Sequence, residues 1–262
     1  MGEKSKSLAV LISSYDKSED LWKPLSESYE RYWKSSRYKI YLGTNYLDPL
    51  LPRFEALKIG KEKSWSDNIL KCLDKIDEDY ILLTFDDLFL FSDIDNKKID
   101  GLIMRAMEND WDYLRLHPSP TPDIILDDDI GQILPNRMYR ASTVFSIIKK
   151  DTFRNLLIDT ESAWEFERNA SMRSNCYDKF YVSRKKLIPY LNAVVKGKWV
   201  TPALNYLKKD GFSVVEESRK KMSTYELIIE SIMRLRLKIF FMVVPKGMQG
   251  YIREKVIKKR EK

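Results

Sequence analysis

The chain is poor in three residues that many sites depend on. Its 262 residues contain one histidine, two cysteines and nine glycines. A lone His117 leaves no basis for a His-based triad or a histidine-rich zinc site; beside Pro118 it reads as structural. Cys72 and Cys176 make neither a disulfide framework nor a metal-ligand spacing, which suits a reducing, cytoplasmic compartment. Neither GxGxxG nor GxxxxGK[ST] occurs, so phosphate-cradling loops of those kinds are excluded. Internal repeats and low-complexity segments are also absent. The opening MGEKSKSLAVLISSYD reads as no signal peptide, because its apolar part is too short. Gly2 opens no myristoylation signal, since Lys6 stands where Ser or Thr is wanted.

What is present describes a folded protein. Hydrophobic residues make up 44% and aromatic residues 12%, as in globular chains. The length allows one large domain or a domain with an appendage. Charge is uneven: residues 220–262 carry a net +8, so residues 1–219 carry −1 of the total +7. The basic character belongs to the tail. A nucleic-acid footprint more often spreads over a folded face, so no nucleic-acid partner is expected. Residues 224–244 are strongly apolar, but Arg234, Arg236 and Lys238 interrupt them, which argues against a spanning helix. Apolar residues mixed with basic ones suit a helix lying in a membrane interface. Pro245 and Gly247 end it, and a second basic piece, residues 251–262, follows. The expected division is a folded domain over 1–215 and a basic amphipathic tail over 216–262 that docks on a membrane surface.

Along the chain, short aliphatic runs alternate with amphipathic stretches. Residues 7–13 and 38–42 read as strands, with a helix between them that carries Leu21, Leu25, Tyr29 and Tyr32 on one face and Ser18 as its cap. Residues 46–60 read as loop. A helix over 65–77 is capped by Ser64-x-x-Asp67 and buries Ile69, Leu70, Leu73 and Ile76. Strand 79–85, helix 96–109 and strand 111–116 follow. Asp127-Asp128-Asp129 reads as a solvated hairpin turn before Gly131. Residues 139–148 read as a strand, 152–157 as a short helix, and 193–195 as a short strand before a Gly197 turn. Alternation of this kind argues for α/β architecture: a single Rossmann-type domain with a mostly parallel central sheet and helices on both faces.

Such sheets bind ligands past the carboxyl ends of their strands. Tyr15-Asp16, Thr44-Asn45 and Asp86-Asp87 all follow strand ends. Asp86 and Asp87 are the most informative, because Ile81 to Phe85 and Leu88 to Phe91 place apolar residues on both sides of them. Two acids in such a run are costly unless paired, hydrogen-bonded or metal-bound. Adjacent side chains on a strand point to opposite faces, so both reach one cation only if the chain bends there. Further on, TESAWEFERNASMRS gathers carboxylates and guanidinia around Trp164 and Phe166. Ser162-x-x-Glu165 is a capping pattern that explains Glu165, whereas Glu161, Glu167, Arg168 and Arg173 have no such explanation.

These segments resemble the GT-A class of nucleotide-sugar glycosyltransferases, and more narrowly the bacterial enzymes of capsule and lipopolysaccharide synthesis, over residues 6–210. Ser13-Ser14-Tyr15-Asp16 resembles the loop that holds the base. SWSDNILKCLDKIDEDYILLTFDDLFLF resembles the helix, strand and acidic turn over ribose and diphosphate. ESAWEFERN resembles the later segment that supplies an acid near the acceptor. The resemblance implies a GT-A-like fold and a donor site built from Ser13, Ser14, Tyr15, Asp16, Asn45, Trp65, Ser66, Asn68, Asp86 and Asp87. It also implies a divalent cation, Mn²⁺ or Mg²⁺, on Asp87 and Asp86, and a catalytic base that is Glu165 or Glu167. The partners implied are a nucleoside diphosphate sugar and a glycan or lipid-linked glycan. The class has Asp-x-Asp where this chain has Asp86-Asp87-Leu88. Sugar transfer needs the leaving diphosphate neutralised and the acceptor hydroxyl deprotonated as it attacks. A transfer with inversion would use the Glu directly as that base. A different class also accommodates the adjacent acids: a non-catalytic nucleotide-fold protein whose basic tail contacts nucleic acid or an acidic partner.

Overall fold

A computed structural model describes residues 6–245 and 248–249. The chain opens with β1 (Leu8–Ser13), α1 (Glu19–Tyr32), β2 (Ile40–Thr44) and β3 (Glu55–Lys58). α2 (Trp65–Lys75), β4 (Tyr80–Phe85), β5 (Leu88–Leu90), α3 (Asn96–Glu108) and β6 (Tyr113–Arg115) follow. Next come β7 (Ile124–Ile125), β8 (Ile130–Gln132), β9 (Ser146–Lys149), α4 (Lys150–Leu156) and α5 (Ala163–Arg173). The last elements are β10 (Phe180–Ser183), β11 (Tyr190–Asn192), β12 (Val194–Val195), β13 (Lys198–Trp199), α6 (Thr201–Lys209) and α7 (Thr224–Val243).

Nine strands form one sheet in the order β3-β2-β1-β4-β9-β6-β10-β8-β7. Seven run in one direction; only β9 and β8 are reversed, so the sheet is mostly parallel. β1 shows why the sheet is sandwiched. Leu8, Val10 and Ile12 enter a core with α1, α3 and α6, while Ala9 and Leu11 enter a second core with α2, α4 and α5. That is the period-two alternation of a strand buried on both faces. The helices match it with apolar stripes: Leu21, Leu25 and Tyr29 on α1 and Ile69, Cys72 and Leu73 on α2 are all buried. Each buried Leu or Ile among them contributes about 1.5–3 kcal/mol of hydrophobic stabilisation.

Several expectations change. The segment expected to be loop contains β3, a parallel edge strand on β2. The strand expected over 139–148 is confined to Ser146–Lys149 and runs antiparallel. The buried Arg140 occupies the preceding stretch, donating to the carbonyls of Ile133 (3.1 Å) and Tyr177 (2.6 Å) and to the Ser174 hydroxyl (3.0 Å). Ser18 precedes α1 but makes no side-chain capping bond; its hydroxyl accepts from Arg219 (3.3 Å). Apolar residues after the acid pair form β5, which pairs with β11 outside the main sheet. Asp127-Asp128-Asp129 does turn between β7 and β8, with Asp127 and Asp129 paired to Arg105 and Lys98.

Packing continues past residue 215. Met222 is buried, and its amide donates to Trp199 O (2.9 Å), while the Trp199 amide donates to Lys220 O (2.9 Å). α7 begins after this strap. None of its residues is buried. Lys198 and Lys196 of the domain hold its Glu226 (2.5 Å) and Glu230 (2.7 Å), and Phe241 lies 6.2 Å from the Tyr139 ring. Among the described residues no helix is long and apolar enough to cross a membrane. The second basic piece, residues 251–262, lies outside the described residues.

Candidate active site

β2, β1 and β4 are parallel neighbours, and the chain turns back in opposite directions from β1, toward β2 on one side and β4 on the other. This switch point is where a crevice opens at the carboxyl edge. Ser13, Ser14, Tyr15 and Asp16, then Asn45, then Asp86 and Asp87 leave the three strands at that edge.

Their side chains have different work. Ser14 is buried; its hydroxyl accepts from the Trp22 indole (2.7 Å) and donates to Asp86 Oδ2 (2.6 Å). Ser13 Oγ accepts from the Trp65 indole (3.0 Å), and Trp65 stacks on Phe85 with ring centres 6.2 Å apart. Asp16 and Asn45 clamp each other. The Asp16 carboxylate accepts from the amides of Asn45 (2.8 Å) and Tyr46 (3.0 Å), and Asn45 Oδ1 accepts from the Asp16 amide (3.1 Å). Tyr15 is exposed. On α2, Ser66 and Asn68 are buried, and among the described residues Ser66 Oγ and Asn68 Oδ1 have no hydrogen-bond partner. Buried polar atoms of this kind normally find one.

Asp86 and Asp87 form the turn between β4 and β5, which supplies the bend their adjacency requires. Asp86 is buried, at 8% exposure. Burial raises its pKa to about 6, against the lowering effect of the Ser14 and Ser18 hydroxyls and Arg219. Burial and the neighbouring Asp86 charge raise Asp87 to about 7. The nearby cation is Arg219, from the strap after α6. It grips Asp20 with two bonds of 2.7 Å. Burial alone would raise the Asp20 pKa; the Arg219 and Ser218 bonds and the Arg219 charge together outweigh it and hold the carboxyl below its ordinary range.

A cavity of ≈ 270 Å³ joins this turn to α5. Asp87 and Glu167 both line it, with Phe85, Leu88, Thr143 and Asn192 among the other walls. Three donors converge on Glu167 Oε1: Ser142 Oγ (2.7 Å), the Thr143 amide (2.9 Å) and Thr143 Oγ1 (2.9 Å). Glu165 does different work. Its carboxylate accepts from the amide (2.8 Å) and hydroxyl (2.7 Å) of Ser162, closing a capping box. Those bonds lower its pKa.

Glu161 and Arg173 are an internal staple. The Arg173 guanidinium donates to both Glu161 oxygens (2.8 and 2.6 Å), and Asn169 adds a third bond (2.7 Å). Lys198 is paired with Glu226 of α7. His117 is held neutral: burial, Arg115 and Lys186 lower its pKa to about 4. The sequence did not single out Ser142, Thr143, Asp20, Arg219 or Asn192. None belongs to a spaced motif, and Arg219 is one cation in a basic run.

No protein-family model and no curated protein sequence matches the chain. The fold is of the GT-A type found in nucleotide-sugar glycosyltransferases. A structure of one of them, TarS of S. aureus (residues 1–349) in complex with UDP-GlcNAc, matches with a TM-score of 0.51 and 10% identity over 80% of this chain and 68% of that one. A further structure of TarS 1–349 matches with a TM-score of 0.47 and 9% identity over 70% of this chain, which spans 59% of that one. At such identities the likeness is one of fold.

Proposed function

We propose that the protein is a glycosyltransferase that moves a sugar from a nucleoside diphosphate sugar to a hydroxyl of a glycan or lipid-linked glycan in bacterial surface-glycan synthesis. One observation carries this reading: Asp87 and Glu167 face a single cavity at the carboxyl edge of a GT-A-type sheet. The donor lies along the ends of β1, β2 and β4, with its diphosphate toward Asp87. Ser66 and Asn68, buried in the first turn of α2, carry polar atoms without a partner among the described residues.

Glu167 acts as the base. Three bonds on Oε1 fix its rotamer and occupy that oxygen, which leaves Oε2 to take the proton. The acceptor oxygen bonds to the anomeric carbon, the bond from that carbon to the diphosphate oxygen breaks with its electron pair, and the acceptor proton passes to Glu167. A single displacement of this kind inverts the anomeric centre. Glu165, committed to its capping box, takes no part.

Among the described residues no three His, Cys, Asp or Glu side chains gather to hold a metal. The donor set nonetheless suits Mg²⁺ or Mn²⁺, which such sites often bind through one or two carboxylates and the substrate's phosphates. Asp87 would hold the ion, and Asp86, with Oδ2 committed to Ser14, would brace the turn. When bound, the ion neutralises charge on the leaving diphosphate.

The reading includes docking on the inner face of the cytoplasmic membrane through α7. Ile228, Ile232, Leu235 and Ile239 are exposed on it at helical spacing, with Arg234, Arg236 and Lys238 interleaved. That pattern suits an anionic lipid surface.

The test is a thermal-shift screen of nucleoside diphosphate sugars with and without Mn²⁺. UDP sugars come first, because the TarS neighbour was solved with UDP-GlcNAc. A ligand at 100 times its Kd stabilises by about 2.7 kcal/mol. No shift with any nucleotide sugar, together with salt-sensitive RNA binding, would overturn the reading in favour of a non-catalytic binding protein.

A further inference from the structure

We propose that the indole face of Trp164 is a platform for a neutral sugar ring of the acceptor. The inference rests on the glycosyltransferase reading of the same cavity. Of the six tryptophans, Trp22, Trp33, Trp111 and Trp199 are buried and Trp65 is half-buried; Trp164 is 75% exposed. It contributes nothing to the core, because the fully buried Phe166 two positions on does that work.

Its place on the helix gives the exposure a use. Trp164 and Glu167 are three residues apart on α5 and both line the cavity. Side chains at that spacing are neighbours about 5–6 Å apart, on the order of the width of one sugar ring. A ring resting on the indole therefore presents its edge hydroxyls to Glu167, the group assigned to take a proton from one of them. A pyranose carries C–H groups on its faces, and these meet the electron-rich face of an aromatic ring favourably.

The rest of the cavity fits that ligand. Val144 and Leu88 are apolar; Thr143 and Asn192 provide hydrogen-bonding groups for hydroxyls. The charged side chains of the lining are two carboxyls, Asp87 and Glu167, and no cation is among them. Any cation held at Asp87 would be taken up by the donor's diphosphate, so a phosphate or carboxylate on the acceptor unit beside Glu167 would meet repulsion; the unit is uncharged. A volume of ≈ 270 Å³ lies just below the usual range for ligand pockets, enough for a sugar unit rather than a whole glycan.

The experiment uses the full chain, Trp164→Ala and Trp164→Phe. Calorimetry measures binding of a set of nucleoside diphosphates. Titration in saturating nucleotide then measures binding of the methyl glycosides of glucose, galactose, mannose and N-acetylglucosamine, with methyl glucuronide as the anionic probe. At least one neutral glycoside should bind. Trp164→Ala should weaken it about tenfold and Trp164→Phe about threefold or less, with nucleotide affinity within about twofold. The glucuronide should bind more weakly than its neutral counterpart. Nucleotide binding with no neutral glycoside bound, an Ala variant equal to the parent, or a preference for the glucuronide would overturn the platform alone. Failure of every nucleotide to bind the parent protein would overturn the glycosyltransferase reading and the platform with it.

Discussion

Asp86 and Asp87 resist ionising side by side, and that resistance makes the fold sensitive to pH at this turn. An aspartate in the unfolded chain titrates near 3.9, while these two are raised to about 6 and about 7. Between those values the folded chain holds more protons than the unfolded one, so their contribution to stability is complete below pH ~4 and falls as pH rises toward 7. His117, lowered to about 4, works in the opposite sense up to its ordinary value of about 6.5. A difference between proteins isolates the acid: Asp87→Asn should gain stability over the parent as pH rises from 5 to 8, reaching about 2 kcal/mol after discounting for partial exposure. Denaturant titrations at several pH values measure it, and a pH-independent difference would refute the raised pKa. In transfer assays Glu167→Gln should lose about 100-fold or more, whereas Glu165→Gln, whose amide still completes the capping box, should lose less than about threefold. The reverse order would reassign the base. Glu165's task was legible in Ser162-x-x-Glu165. What holds Glu167 was not, because Ser142 and Thr143 lie 25 and 24 positions away and only the fold brings them to it.

At the scale of elements, the sequence revealed structure where a pattern closes locally. β1 is a continuous aliphatic run, and α2 announces its start with Ser64, whose hydroxyl accepts from the Asp67 amide (3.0 Å). β3 escaped because only Leu57 of its four residues is buried, as befits an edge strand. β5 escaped because its partner, β11, lies about a hundred residues on. The strap after α6 escaped for the same reason. Its Arg219–Asp20 pair is nearly buried, with side-chain exposures of 9% and 15%. Removing one partner strands a charge, so Arg219→Ala should cost about 3 kcal/mol, or about 6–12 °C in Tm for a domain of this size. Arg219→Met combined with Asp20→Leu should recover most of it. A scan of the three proteins decides the matter; no loss in the single variant would remove the strap from the account of stability.

At the scale of the whole molecule, the body is a three-layer sandwich with one helix that buries no residue. Removing residues 224–262 should lower co-sedimentation with vesicles containing phosphatidylserine by about tenfold or more, leave nucleotide binding intact, and remove much of the salt dependence. Equal sedimentation of the two proteins would dismiss the docking role. The strap also fixes when the body can be finished. Asp20 and Arg219 are 199 positions apart, and synthesis proceeds at about 5–20 residues per second, so Asp20 waits about 10–40 s for its partner to be made. Until then the turn bearing the two acids lacks its nearest cation. Because α7 is the next helix to emerge, the strand edge bearing the two acids and the proposed lipid-facing surface are completed almost together.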